Sequence, residues 1–222
     1  HLIPWIVTKW FQEKFKAPLI FQFTDDEKFL FKQDLSLDKV KSLALDNALD
    51  VIALGFDEKL TFFLFDTMHA DLLYPQALRI AKKVTFNTVK AVFGLNQSSN
   101  IGQIFFTSMQ AVPAFLPSVI VGKNIPCLIP MGLDQDPHFR IARDVLPRLG
   151  FYKPACMHSR MLKGLTGSAK MSASKSPNDV LFLDDSLQLA ERKIKNAFTG
   201  GRETADVQRS KGGRPEICSI FN

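Results

Sequence analysis

The sequence predicts an α/β protein with a parallel sheet covered by helices on both faces, and three observations predict it. Residues 18–23, 61–65, 126–131 and 180–183 are short apolar runs without strict alternation, the pattern of strands buried on both faces. The stretches between them are long enough for helices and carry cap and stop signals at their ends. Of 222 residues, 46% are apolar, 23% are charged and 20 are Phe. That composition builds a core and excludes a disordered chain.

Residues 1–15 place Leu2, Ile3, Ile6 and Trp10 near helical spacing, with Pro4 in the first turn, where a missing N–H does no harm. Residues 18–23 read as an aromatic-rich strand. Thr24 followed by Asp25, Asp26 and Glu27 then opens a helix, a cap candidate with acids in the first turn. Ser36 caps a longer helix to about Leu54, ended by Gly55, and residues 61–65 are the next strand. Pro75 begins a helix that stops at Gly94, and residues 109–115 follow a turn bounded by Gly102. A strand over 126–131, a helix over 137–149 and a strand over 180–183 follow. A last helix runs from Asp185 or Ser186 to about Phe198.

No run of about 18 apolar residues is present, so no membrane span is expected. The start lacks the basic region, apolar run and cleavage site of a signal peptide; it reads as a chain cut from something longer and cytoplasmic. Cys127, Cys156 and Cys218 fit no metal spacing and read as structural thiols of a reducing compartment. No metal ligand set is expected. Net charge is +6, and seven basic residues (Arg192, Lys193, Lys195, Arg202, Arg209, Lys211 and Arg214) against Glu203 and Asp206 leave +5 between positions 192 and 214. That segment is either a nucleic-acid face or a solvated helix end.

In a parallel α/β sheet, ligands bind beyond the carboxyl ends of the strands. That rule selects residues 22–28, residues 131–136 and the loop before Val180. Gln22 interrupts a strand that is otherwise apolar; a buried amide without partners costs about 1–3 kcal/mol, so it requires one. Its partner is either another group of the protein or a ligand. Glu27 beside Lys28 offers a carboxylate and an ammonium, a match for a zwitterion. Gly132 ends a strand where backbone can approach a ligand, and Asp134, Gln135 and Asp136 follow as ribose ligands or helix caps. Lys163, Lys170 and Lys175 share a loop with Ser168, Ser172, Ser174 and Ser176. A loop with cations and N–H groups can close on a polyphosphate, or be no more than a solvated connection.

Six segments carry a resemblance. "KMSAS" (170–174) resembles the KMSKS signature of class I aminoacyl-tRNA synthetases, and "HLIP" (1–4) resembles the tail of their His-x-Gly-His signature, with His1 as its last histidine. "QFTDDEKF" (22–29), "VTFNTVKAVFG" (84–94), "GLDQDPHFR" (132–140) and "AFTGGRETA" (197–205) resemble tryptophanyl-tRNA synthetases of the eukaryotic and archaeal type. The chain departs at Ala173, where the signature usually has a second lysine, leaving Lys170 as the loop's cation and Lys175 as a substitute.

The resemblance implies a Rossmann-like, doubly wound catalytic domain over residues 1–185, with its loop at 163–176. Residues 186–222 become a helical connection toward an anticodon-binding domain. It implies activation of L-tryptophan by ATP with Mg²⁺, transfer to tRNA(Trp), and a homodimer in the full-length enzyme. Lys170, with Met171, Ser172 and Ser174, would bind the phosphates that leave, and His1 a phosphate at its helix start. Gly132 and Asp134 would lie on the ribose side. Gln22 would meet the indole N–H; Glu27, Gln110 and Gln135 the α-ammonium; Lys28 the carboxylate; and Phe139 the ring. The family's first strand, with a tyrosine against the indole, would precede His1. Three alternatives remain open: a tyrosyl-tRNA synthetase, a nucleotidyltransferase with the same histidine motif, and a fragment that binds tryptophan and ATP without turnover.

Overall fold

The computed structural model describes residues 2–171 and 176–221. Contacts divide the chain into two compact units, His1–Ser159 and Arg160–Asn222.

The first unit opens with helix α1 (Leu2–Phe15) and strand β1 (Leu19–Phe23), followed by α2 (Asp25–Phe31), α3 (Leu37–Ala53) and strand β2 (Thr61–Phe65). Then come α4 (Ala70–Ala81), α5 (Phe86–Phe93), α6 (Ile101–Gln110), α7 (Leu116–Val121), strand β3 (Leu128–Gly132), α8 (Asp136–Val145) and strand β4 (Ala155–Ser159). All strand pairing is parallel, as the continuous apolar runs predict. β1 lies beside β2 with Gln22 opposite Leu64, and β3 beside β4 with Gly132 opposite Ser159. Among the described residues these are two separate two-stranded ladders.

Helix starts follow local chemistry. The Ser36 hydroxyl accepts from the Lys39 N–H at 3.2 Å, and Asn100 and Gln103 cap each other's backbone at 2.8 and 3.2 Å. Two expectations are corrected here. Pro75 sits inside α4 rather than starting it, and Gly94 ends a separate helix, α5, in the left-handed conformation. α4 tolerates its proline because Leu73, Ala77 and Ile80 are fully buried at helical spacing, which outweighs one lost backbone bond. Gly102 is not a turn but the second residue of α6; a Cβ there would overlap the Leu30 side chain of α2. The main core gathers Leu73, Ile80, Phe106, Phe115, Leu116 and Leu146, each at most 2% exposed. Burial of side chains this size is worth about 1.5–3 kcal/mol each. A second cluster, around Phe23, Val51 and Phe65, packs α3 on β1 and β2.

The second unit holds a 3₁₀ turn (Pro177–Asp179), α9 (Leu187–Lys195), α10 (Ala205–Lys211) and a second 3₁₀ turn (Pro215–Ile217). Its backbone is cross-tied: Phe198 N–H donates to the Leu165 carbonyl at 2.7 Å, and Ser219 N–H to the Phe198 carbonyl at 2.9 Å. The strand expected over 180–183 does not form. Phe182 N–H instead donates to the Asp185 carboxylate at 2.9 Å, and Lys193 Nζ takes the Val180 carbonyl at 3.0 Å. Ser186 caps α9 by accepting from the Leu189 N–H, as one of the two sequence readings had it. Strand β4 has no apolar run to announce it.

Candidate active site

At the carboxyl end of β1, Gln22 has its partner within the protein. Its Nε2 donates to both oxygens of Asp66, at 2.8 and 2.9 Å. No hydrogen bond to Gln22 Oε1 is found among the described residues, so the amide shows its acceptor. Asp66 follows β2 and is only 1% exposed, and its N–H donates to the Phe23 carbonyl at 3.2 Å. Desolvation above all, with the adjacent Asp26 charge next, pushes the Asp66 carboxyl up to about 9. Asp26 is raised as well, chiefly by burial, while a hydrogen bond from Asp66 works the other way. Asp25, expected as a helix-end ornament, is buried, and its carboxylate accepts from the Thr67 N–H at 2.9 Å and from the Thr67 hydroxyl.

One turn into α2, Thr24 Oγ1 donates to Glu27 at 2.9 Å, and Lys28 Nζ lies 3.9 Å from the same carboxylate oxygen. The predicted carboxylate–ammonium pair therefore exists, with Lys28 exposed. Gln110 closes α6, buried, and its Oε1 has no hydrogen-bond partner among the described residues. Such an acceptor awaits a donor. Phe139 is buried in the main core with Phe106, Met109 and Met131.

β3 delivers Gly132 in extended backbone, and a 3₁₀ turn carries Asp134 and Gln135 into α8. Asp136 is committed to the protein: His158 contacts one oxygen at 2.8 Å and Arg140 the other. Desolvation opposes ionisation there, but these two bonds hold the carboxyl below the usual carboxylate range. Beside it His138 packs on Phe93 and Phe106, and burial pushes its imidazole down to about 4. A cleft of about 780 Å³, apolar and flanked by α1, β1, β2 and β3, contains none of these residues.

Lys170 and Met171 belong to the second unit; His1, Ser172 and Ser174, with Lys175, lie outside the described residues. The stem of that loop is ordered by Asp179, which sequence reading missed. Its carboxylate accepts from the Thr166 N–H at 3.0 Å, the Thr166 hydroxyl at 2.5 Å and the Ser168 hydroxyl at 2.5 Å. Ser168 and Met171 are tied back to the stem through the Lys170 and Leu162 carbonyls. Asp66 was missed likewise, although its place just after an apolar strand is where the carboxyl-end rule points. No group of three His, Cys, Asp or Glu among the described residues is placed to hold a metal ion.

The family model described as tRNA synthetases class I (W and Y) matches residues 1–222. The chain belongs to that family. It is 48% identical over 222 residues to the tryptophan–tRNA ligase of Pyrobaculum aerophilum, covering 100% of this chain and 59% of that relative. It is 46% identical over 223 residues to the cytoplasmic tryptophan–tRNA ligase of Schizosaccharomyces pombe, covering 98% and 56%. Among solved structures it resembles the tryptophanyl-tRNA synthetase of Encephalitozoon cuniculi bound to tryptophan, with a TM-score of 0.88 at 38% identity over 100% of this chain and 60% of that one. These synthetases are archaeal and eukaryotic, as the resemblance implied, and the parallel α/β fold is theirs. The chain spans under two thirds of the length of each. No helix among the described residues is long and apolar enough to cross a membrane.

Proposed function

We propose that the protein activates L-tryptophan with ATP, forming tryptophanyl-adenylate and pyrophosphate, and passes the aminoacyl group to tRNA(Trp). The observation that carries the reading is Gln22, whose Nε2 is bound to Asp66 while Oε1 remains an acceptor. An indole N–H can only donate, so an acceptor at the end of β1 suits it. A tyrosyl specificity has no such support. The orphaned Gln110 carbonyl, with Glu27 and Gln135, serves the α-ammonium; Lys28 serves the carboxylate, and Phe139 backs the ring.

A carboxylate is already nucleophilic at neutral pH, so activation needs no general base. The tryptophan carboxylate attacks the α-phosphorus, and the bond to the leaving pyrophosphate breaks in line. Lys170 stabilises the charge gathering on that pyrophosphate, aided by Met171, Ser172 and Ser174. His1 holds a phosphate of ATP. Gly132 and Asp134 serve the ribose, and Mg²⁺ enters with ATP as part of the substrate. Residues 1–185 form the catalytic domain and 186–222 the link toward an anticodon-binding domain, with a cytoplasmic homodimer as the working form.

A second reading, binding of tryptophan and ATP without turnover, requires the same specificity. Calorimetry with tryptophan, tyrosine and phenylalanine tests the specificity shared by both. Binding of tryptophan alone supports it. A preference for tyrosine, or no binding at all by folded protein, contradicts it.

A further inference from the structure

A glutamine side chain is nearly symmetric in outline, yet one end donates and the other accepts. Left free to rotate, Gln22 would meet an indole N–H with its carbonyl as readily as it would turn its NH₂ toward a ring bearing an acceptor. Discrimination then requires a second group that fixes which end faces the ligand.

We propose that Asp66 is the positioning residue that holds Gln22 with its carbonyl outward, and so sets the selectivity for a ring that carries an N–H. This rests on the tryptophan reading above. Nε2 sits astride the carboxyl group, at 2.8 and 2.9 Å from its two oxygens. In the reversed orientation the amide oxygen would face those two acceptors, which repel it. The carboxyl group is buried, and the backbone that carries it is fixed. Its backbone N–H is tied to the Phe23 carbonyl, one residue beyond Gln22, and the next residue, Thr67, is tied through N–H and hydroxyl to Asp25.

Protonation does not undo the arrangement. Asp66 keeps its proton well above the usual carboxylate range because it is buried beside Asp26. That proton is directed at Asp26; the bond works to lower Asp26, which burial nonetheless leaves raised. Facing Gln22, Asp66 remains an acceptor. The three acids thus have separate duties: Asp25 anchors the turn, Asp26 accepts the hydrogen bond from Asp66, and Asp66 orients the amide.

The test compares dissociation constants, by calorimetry, for tryptophan and for its benzothienyl isostere, in which sulfur replaces the indole N–H. Wild type should prefer tryptophan by about tenfold or more, because the isostere leaves a buried acceptor unpaired. Asp66→Asn changes shape little but can donate as well as accept, which frees Gln22 to reverse. The preference should collapse to within about threefold, through weaker tryptophan binding, with the melting temperature and ATP affinity preserved. Combining Asp66→Asn with Gln22→Glu swaps donor and acceptor between the two positions and should restore the preference. A purely structural Asp66 would weaken both ligands in parallel and leave the ratio intact, which overturns the proposal. So does failure of the swap to restore the preference, or failure of both variants to fold. Wild type that binds neither ligand, or binds both alike, defeats the tryptophan reading before any variant is compared.

Discussion

Lys193 Nζ lies 2.6 Å from Asp185 Oδ2 and 4.8 Å from the centre of the Phe182 ring, with the lysine almost sealed from water. The basic segment, which the sequence leaves as either a nucleic-acid face or a solvated helix end, therefore contains a lysine that has another task. Arg192, Lys195, Arg209 and Lys211 are exposed, while Arg202 and Arg214 donate to the Gly212 and Gly201 carbonyls.

Two consequences separate these groups. Lys193→Met strands a carboxylate and should lower the melting temperature by several degrees, whereas pairing it with Asp185→Leu should recover much of the loss. Replacing Arg192 and Arg209 with Gln should leave stability alone. It should reduce the salt slope of tRNA binding by about 0.9 for each phosphate contact removed. A slope unchanged by both replacements would remove the case for this segment as the tRNA side.

Asp179 holds the stem of the lysine-bearing loop, and Gly164 makes room for it: a Cβ there would overlap the Asp179 carboxylate and the Ser168 hydroxyl. Asp179→Ala leaves the Thr166 N–H and hydroxyl without their acceptor and the Ser168 hydroxyl with only the Lys170 carbonyl, at about 1–3 kcal/mol for each buried group stranded from water. Both Asp179→Ala and Gly164→Val should raise proteolysis between residues 160 and 180, read by mass spectrometry, and slow adenylate formation with little change in tryptophan affinity.

Stability should fall as pH rises over part of its range because of Asp66. Its folded value, about 9, stands above the ordinary carboxyl value of 3.8, so the native state binds the extra proton between those limits. Its contribution is full below about pH 3.8 and is lost as pH climbs toward 9. Chemical denaturation of wild type and Asp66→Asn across that window measures it; the variant should show the flatter profile.

His138 has the opposite sign. Burial among Phe93 and Phe106 takes it from 6.5 to about 4, so the unfolded chain binds the proton more readily between those values. Stability is full above pH 6.5 and should decline by on the order of 2–3 kcal/mol as pH falls to 4. His138→Phe should flatten that acid limb without affecting the alkaline one.

Legibility in the sequence followed how local each cause was. The strands at 61–65 and 126–131, the Ser36 cap and the acid-first start of α2 were readable because apolar runs and caps act within a few residues. α4 and Gly102 were misread because distant packing, Leu73 and Ile80 in the core and Leu30 against Gly102, overrode the proline and glycine signals. The ladder partner of β3 was invisible, since "ACMHS" pairs through its backbone and not its side chains. In the site, Gln22 and the Glu27–Lys28 pair were picked out by position at a strand end and the helix after it, and Gln110 only by the family resemblance. Their supports, Asp66 and Asp179, lie 44 and 11 residues from the groups they bind, Gln22 and Ser168. Such couplings exist only once the chain is folded.

A site that activates tryptophan must support tryptophan-dependent ATP–pyrophosphate exchange, which is the first measurement to make. Exchange should appear with tryptophan and not with tyrosine or phenylalanine, and Lys170→Ala should slow it by about 100-fold or more with tryptophan affinity retained. Exchange driven by tyrosine would rule out tryptophan as the substrate, and exchange with tryptophan that survives Lys170→Ala undiminished would rule out Lys170 as the loop's catalytic cation.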